Sequence, residues 1–247
     1  MAVRFFGAPS GAGSWSYDED AVSLDRSESP SGTATVTVGG PGTKTPADLT
    51  PPTARQEDER EDTPASSMQI IPSGPAFKDE PNLRAFVHMI SSARTHVSIT
   101  SPYFIPDEAL MTALTNAALS GVEVELFVSE QFDQFLVGHA QRSYYGPLLK
   151  AGVRIHLYRK PRMLHSKYMV VDGSLCIIGS SNMDVRSFGL NYEIVLVADS
   201  SRLVEMLHGN DDRTREKSRE LTYEEWRGLP WHVHYIDNVC RLGSSLL

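Results

Sequence analysis

The stretch that decides the fold runs His165-Ser166-Lys167-Tyr168-Met169-Val170-Val171-Asp172-Gly173-Ser174-Leu175-Cys176-Ile177-Ile178-Gly179-Ser180-Ser181-Asn182. Two β-type runs, residues 166–171 and 175–180, flank Asp172-Gly173-Ser174, a hairpin signal. On a strand, residues two apart share a face, roughly 6.5–7 Å from one another. His165 and Lys167 therefore reach into one space. A turn about Gly173-Ser174 sets Lys167 opposite Ser180 and His165 opposite Asn182. A turn at Asp172-Gly173 shifts the pairing by two residues and keeps the same face. Either way an imidazole, an ammonium, a hydroxyl and a carboxamide are expected to converge.

That set of groups suits a particular chemistry. Histidine changes charge near neutral pH, so it can attack, accept a proton or donate one. Lysine, serine and asparagine supply donors and no carboxylate. Together they cradle an anion whose non-bridging oxygens gain charge, as in displacement at a phosphodiester. No Asp/Glu/His cluster with metal-ligand spacing stands nearby. The expectation is a site without metal or cofactor, Lys167 carrying the electrostatic load a divalent cation carries elsewhere.

Working outward, Leu83, Phe86, Val87, Ile90 and Ala93 recur at helical spacing, and residues 97–100 read as a strand. Pro106 and Asp107 open a helix through Ala109, Leu110, Ala113, Leu114 and Ala117 that ends at Gly121. Residues 122–128 alternate as a strand, 144–150 as a helix stopping at Gly152, and 153–158 as another strand. This order implies βαβ units and a parallel-dominated sheet with helices packed on it. After the hairpin, residues 193–197 form one more apolar strand. The tail past Asp199 is helical, with Thr222 to Glu225 as a partial capping box. Its end, Tyr235, Ile236, Val239, Leu242 and Leu246, has helix-face spacing and is expected to pack on the domain. The fold class is α/β, a mixed β-sheet flanked by helices on both faces.

Composition divides the 247 residues in two. Residues 1–66 hold 5 basic and 11 acidic residues and few large apolar ones; residues 67–247 hold 18 and 20, so most of the net charge of −8 lies in the first part. A segment so poor in apolar groups cannot offset its ordering entropy, and residues 1–66 are expected to be a disordered arm. Residues 67–247 form the folded domain. Cys176 and Cys240 make no disulfide framework and no zinc pattern; Cys176 reads as a core residue, and His232-x-His234 as surface histidines. No apolar run approaches a membrane span, and the N-terminus lacks a signal-peptide layout. The two unpaired cysteines suit a reducing compartment, so the expected place is the cytoplasmic side, soluble or at most peripheral on a membrane surface. The acidic balance argues against a nucleic-acid partner, which needs a basic patch.

His165-x-Lys167, Asp172, then Gly179-Ser180-x-Asn182 is similar to the HKD signature of the phospholipase D superfamily. Six such residues at fixed spacing arise by chance with a probability on the order of 10⁻⁶ from average usage. Several further stretches resemble bacterial cardiolipin synthases: Ser181 to Phe188, then Asn191-Tyr192-Glu193; Gln69 to Pro75; Ser101 to Asp107; Arg142-Ser143-Tyr144-Tyr145; and Leu221 to Trp226. The likeness runs from about Met68 onward and matches the second half of such an enzyme. It implies a phosphatidyltransferase that joins two phosphatidylglycerols into cardiolipin and glycerol through a phosphohistidine. It also implies that His165 is the catalytic histidine, as the acid/base member. Lys167 and Asn182 would bind phosphoryl oxygens with Ser180 in support, and Glu193 would hold the histidine ring in its tautomer. Asp172 belongs to the same catalytic signature, although seven residues from His165 it falls on the opposite strand face, where a structural role is expected. Arg142, Arg186 and Tyr103 are further candidates for contact with lipid phosphate and headgroup.

One departure matters. Among the eight histidines only His165 is followed two residues on by lysine, so one HKD motif stands where the resemblance implies two. The partners expected are the phospholipid, a membrane surface, and a second HKD half from a homodimer or a separate chain. The rivals are a phosphodiesterase that uses water as acceptor and a catalytically silent half acting as a binding subunit.

Overall fold

The alternating runs find their strands in a computed structural model, which describes residues 67–77 and 79–243. The expected arm and Leu246 lie outside the described residues. The strands are β1 (Ser67–Ser73), β2 (His96–Thr100), β3 (Phe104–Ile105), β4 (Glu123–Ser129), β5 (Arg154–Tyr158), β6 (Tyr168–Val171), β7 (Leu175–Gly179), β8 (Met183–Asp184), β9 (Glu193–Asp199) and β10 (Ser218–Leu221). The helices are α1 (Pro81–Ser92), α2 (Glu108–Leu119), α3 (Phe135–Ser143), α4 (Tyr145–Ala151), α5 (Ser201–Glu216), α6 (Tyr223–Arg227) and α7 (Trp231–Leu242). Arg186–Leu190 adds a single π-helical turn.

Eight strands make one mixed sheet in the order β1-β9-β7-β6-β2-β4-β5-β10. Only two pairings in this sheet are parallel, β2 with β4 across α2 and β4 with β5 across α3 and α4. Every other pairing in the sheet is antiparallel. The sheet is mixed as expected, but the parallel part is a minority, because the hairpin and both edge strands fold back against it.

Alternation along each strand divides the core between the two faces. Val97, Ile99, Val124, Leu126, Val128, Ile155, Met169 and Ile177 are buried on the face with Ile90 of α1, Leu110 and Leu114 of α2 and Leu148 of α4. The alternate residues Tyr168, Val170, Cys176 and Ala198 pack against Val204 of α5. Cys176 is thus the core residue its strand position implies. The α5 face is unusually polar. Ser98 and Tyr168 donate to the buried Asp211 at 2.7 Å each. Glu125, 2 % exposed, meets His156 at 2.8 Å and Arg215 at 2.7 Å. Burial works against the Glu125 charge, yet its bonds from His156, His96 and Arg215 hold its pKa well below the usual carboxylate range. Pairing is what makes such buried charge tolerable.

Local start signals act as read. Asp107 caps α2 through Leu110 N at 2.8 Å, and Thr222 caps α6 through Glu225 N at 3.1 Å. At the C-terminal end, α7 docks through Ile236 and Cys240 and leaves Tyr235, Val239 and Leu242 outside. The expected packing face is therefore only partly the real one. It is rotated because Asp237, 1 % exposed, pulls the helix inward by its bonds to Arg142 and His139.

Candidate active site

The hairpin that carries the motif has a three-residue loop, Asp172-Gly173-Ser174, with Asp172 at φ 51° and Gly173 at φ 66°. Tyr168 pairs with Ile178 and Val171 with Leu175. Extended outward, this register sets Lys167 beside Gly179, whose N–H donates to the Lys167 carbonyl at 3.2 Å. Neither register expected from the sequence is formed. A shift of one residue changes which side chains share a face, so a ladder does not bring Ser180 and Asn182 opposite Lys167 and His165. The chain instead leaves the sheet after Gly179. A Cβ on Gly179 would collide with the Ile194 carbonyl and lie 2.7 Å from Val195 Cα, so the glycine lets β9 press against the end of β7.

Past that contact Ser180 turns to β9. Its hydroxyl donates to the Glu193 carboxylate and accepts from Ile194 N at 3.0 Å. On the facing segment the Lys167 ammonium lies 3.5 Å from His165 Nδ1 and donates to the His165 carbonyl at 3.0 Å. The loop before His165 is seated by Leu164, whose N–H donates to the buried Ser129 hydroxyl at 2.9 Å. Partial burial draws the Lys167 pKa below its ordinary value, while the carboxylates of Glu193 and Asp184 pull the other way. The ammonium thus has both carboxylates in its field.

Asn182 enters through Asp184. Its carboxamide lies close enough to the Asp184 carboxylate to favour its charged form, and its Oδ1 is buried without a hydrogen-bond partner among the described residues. Burial raises the Asp184 pKa, against the Ser187 N–H (2.7 Å) and the Asn182 amide. Asn182, Asp184 and Arg186 line a 240 Å³ pocket together with Tyr103 and Asn191. The Tyr103 hydroxyl is held by both Asp133 oxygens at 2.8 and 2.9 Å.

The structure therefore brings together His165, Lys167, Ser180 and Glu193, with Asn182, Arg186 and Tyr103 around the adjoining pocket. Two expectations change, those for Glu193 and Arg142. Glu193 bonds Ser180, and the neighbour of the His165 ring is Lys167. Arg142 is drawn away: its guanidinium makes two 2.8 Å bonds to Asp237 and fastens α3 to α7. Asp172, counted in the catalytic signature, points to the far side, in the structural role its place on the strand implies. It accepts from Arg94 N, Thr95 N, Thr95 Oγ1 and His96 N at 2.8–3.1 Å, locking the hairpin onto the start of β2. Asp184 was missed by sequence reasoning. The available signal was Asp184 three residues ahead of Ser187, an Asx-type cap on the turn that carries Arg186.

The site is open. His165 and Ser180 are exposed. On the neighbouring strands Ile178 and Ile194 are 38 % and 50 % exposed, and Tyr192 is 71 % exposed. Apolar groups of that size left bare beside a polar cluster mark a surface that something else covers.

A mixed α/β sheet with a histidine–lysine pair at the mouth of an HKD hairpin defines a phospholipase D-type domain. The family model described as "Cardiolipin synthase, PLD-like domain" matches residues 86–211, and the chain belongs to that family. It is 39 % identical over 202 residues to a cardiolipin synthase of Halalkalibacterium halodurans, across 82 % of this chain and 39 % of that protein. It is 35 % identical over 181 residues to cardiolipin synthase A of Proteus mirabilis, across 73 % of this chain and 37 % of that one. The chain thus spans under two fifths of the length of these relatives. Among solved structures, phosphatidylserine synthase of Haemophilus influenzae superposes with a TM-score of 0.62 at 17 % identity, over 74 % of this chain and 48 % of that one. Nuc of Salmonella typhimurium, a phospholipase D family member, gives 0.55 at 20 % identity, over 64 % of this chain and 99 % of that one. Those two likenesses concern the fold.

Proposed function

We propose that this chain supplies one half of a phosphatidyltransferase centre of the cardiolipin synthase type. The observation that carries the reading is the exposed His165 imidazole beside the Lys167 ammonium, in a chain of this family. In the reaction, the facing histidine of a second HKD half attacks phosphorus of one phosphatidylglycerol. His165 gives its proton to the departing glycerol oxygen, leaving a phosphatidyl-histidine. His165 then takes the proton from the hydroxyl of a second phosphatidylglycerol, whose oxygen displaces the histidine and yields cardiolipin. Lys167 and Asn182 bind the phosphoryl oxygens, with Ser180 in support. Glu193 acts through Ser180 and on the Lys167 charge. Arg186 and Tyr103, at the adjoining pocket, contact the headgroup.

One imidazole does not both attack and protonate the leaving group in a single step. The partner half comes from a second copy or another chain and covers the open surface around Ile178, Ile194 and Tyr192. The substrate places the protein at a membrane surface, on its cytoplasmic side. No described helix is long and apolar enough to cross a membrane.

The test is phosphatidylglycerol turnover in detergent micelles by the chain and its His165→Ala variant, with sedimentation of both. Cardiolipin and glycerol from an assembled species, lost in the variant, support the reading. Turnover that survives His165→Ala refutes it, and phosphatidic acid and glycerol without cardiolipin replace transfer by hydrolysis.

A further inference from the structure

Helix α7 presents two neighbouring surfaces that the transfer reaction does not use. Trp231, Tyr235, Val239 and Leu242 follow one another at spacings of four, four and three residues, and so form a single stripe. They are 78 %, 64 %, 48 % and 85 % exposed. The opposite side of the helix carries Ile236, Asp237 and Cys240 into the domain, and the buried Asp237 is tied to Arg142 and His139 at 2.6–2.8 Å. The stripe is thus held facing away from the core by a fixed anchor. Beside it runs a 450 Å³ groove lined by Lys150, Arg227, Arg241 and His234, with Trp226 at its wall. Its one carboxylate, Asp237, is already neutralised by Arg142. None of the three cations has a carboxylate partner among the described residues. Lys150 and Arg241 instead rest over the rings of Tyr223 and Tyr144, at 5.6 and 4.7 Å.

We infer that this face of α7 docks the domain on an anionic phospholipid surface. Charge complementarity selects the occupant: the groove concentrates positive charge in a chain of net charge −8. The stripe beside it offers Trp and Tyr, which favour the headgroup level, and aliphatic side chains that sink below it. A protein partner with an apolar groove would match the stripe and leave the cations unused. Lipid phosphates in the groove and acyl chains under the stripe use both. The inference deepens the membrane part of the reading above, and since it calls on neither His165 nor a second half, it stands or falls by itself.

The experiment is co-sedimentation of the full chain with vesicles of phosphatidylcholine alone and with equal parts phosphatidylglycerol and phosphatidylcholine. The wild type is expected to partition at least about tenfold more strongly onto the anionic vesicles. Trp231→Ser combined with Leu242→Ser is expected to lower partitioning about tenfold or more on the anionic vesicles. Lys150→Gln combined with Arg227→Gln is expected to remove the preference for phosphatidylglycerol while leaving the stripe intact. All four side chains are exposed, so thermal unfolding of the variants should match the wild type, and each pair checks the other. Wild-type binding that ignores the anionic lipid, or variants that bind as the wild type does, would overturn the proposal. Loss of phosphatidylglycerol turnover in His165→Ala with vesicle binding unchanged separates the two readings.

Discussion

Replacing Asp172 with Asn tests whether this motif residue serves the fold or the chemistry. The carboxylate accepts from three backbone N–H groups and the Thr95 hydroxyl, all within 3.1 Å. Partial burial opposes its charge, yet the donors of His96, Thr95 and Arg94 hold its pKa at about 2 against an ordinary 3.8. Taken whole, that difference is worth roughly 2.5 kcal/mol of folding stability. Asp172 sits at a partly open turn, so solvent screening reduces it to about 1–2 kcal/mol. Asparagine keeps the size and tolerates the left-handed backbone at φ 51°, so the substitution isolates the charge. At neutral pH the variant should melt roughly 2–8 °C lower, at about 2–4 °C per kcal/mol for a domain of this length. Because the folded-state pKa is depressed, the contribution is complete above pH 3.8 and fades as pH falls through 2. Wild-type and variant urea curves should therefore converge across that window. Curves that stay parallel down to pH 2 would refute the reasoning. An unchanged melting temperature with abolished turnover would also refute it, by moving Asp172 into the chemistry.

Two further substitutions probe the scaffold behind the site. Gly179→Ala puts a Cβ against the Ile194 carbonyl and 2.7 Å from Val195 Cα; β9 must shift, at a cost of about 1–3 kcal/mol. Urea unfolding should show that loss, and turnover should fall with it as Ser180 parts from Glu193. Asp237→Ala strands the Arg142 guanidinium, 27 % exposed, and the His139 ring. A loss of roughly 2–3 kcal/mol is expected, with earlier proteolysis of α7; unchanged stability would mean that the helix is held by its apolar contacts alone.

Much of this architecture was legible in the sequence because it rests on local periodicity. The alternation in residues 97–100, 122–128 and 153–158 and the helical spacing of Leu110, Ala113, Leu114 and Ala117 correspond to strands and a helix at nearly those positions. The edge strands were not legible. Ser218-Arg219-Glu220-Leu221 has no apolar pattern and becomes β10 only because β5 offers an open edge to pair with. Likewise α3, with polar Gln141 and Arg142 on an inward side, is specified by partners distant in sequence: Gln141 accepts from Phe104 N, and Arg142 serves Asp237.

By itself the sequence determined that a histidine and a lysine two apart lead into a hairpin, since a strand's period of two depends on nothing distant. It also determined the family, through residues at fixed spacing. Only the tertiary structure decided which residues meet them. The loop proved to be three residues long, placing Gly179 beside Lys167 and sending Ser180 to Glu193 and Asn182 to Asp184. Turn length and the packing of β9 against Gly179 are settled by contacts between segments far apart in the chain, and a single residue of register exchanges one strand face for the other.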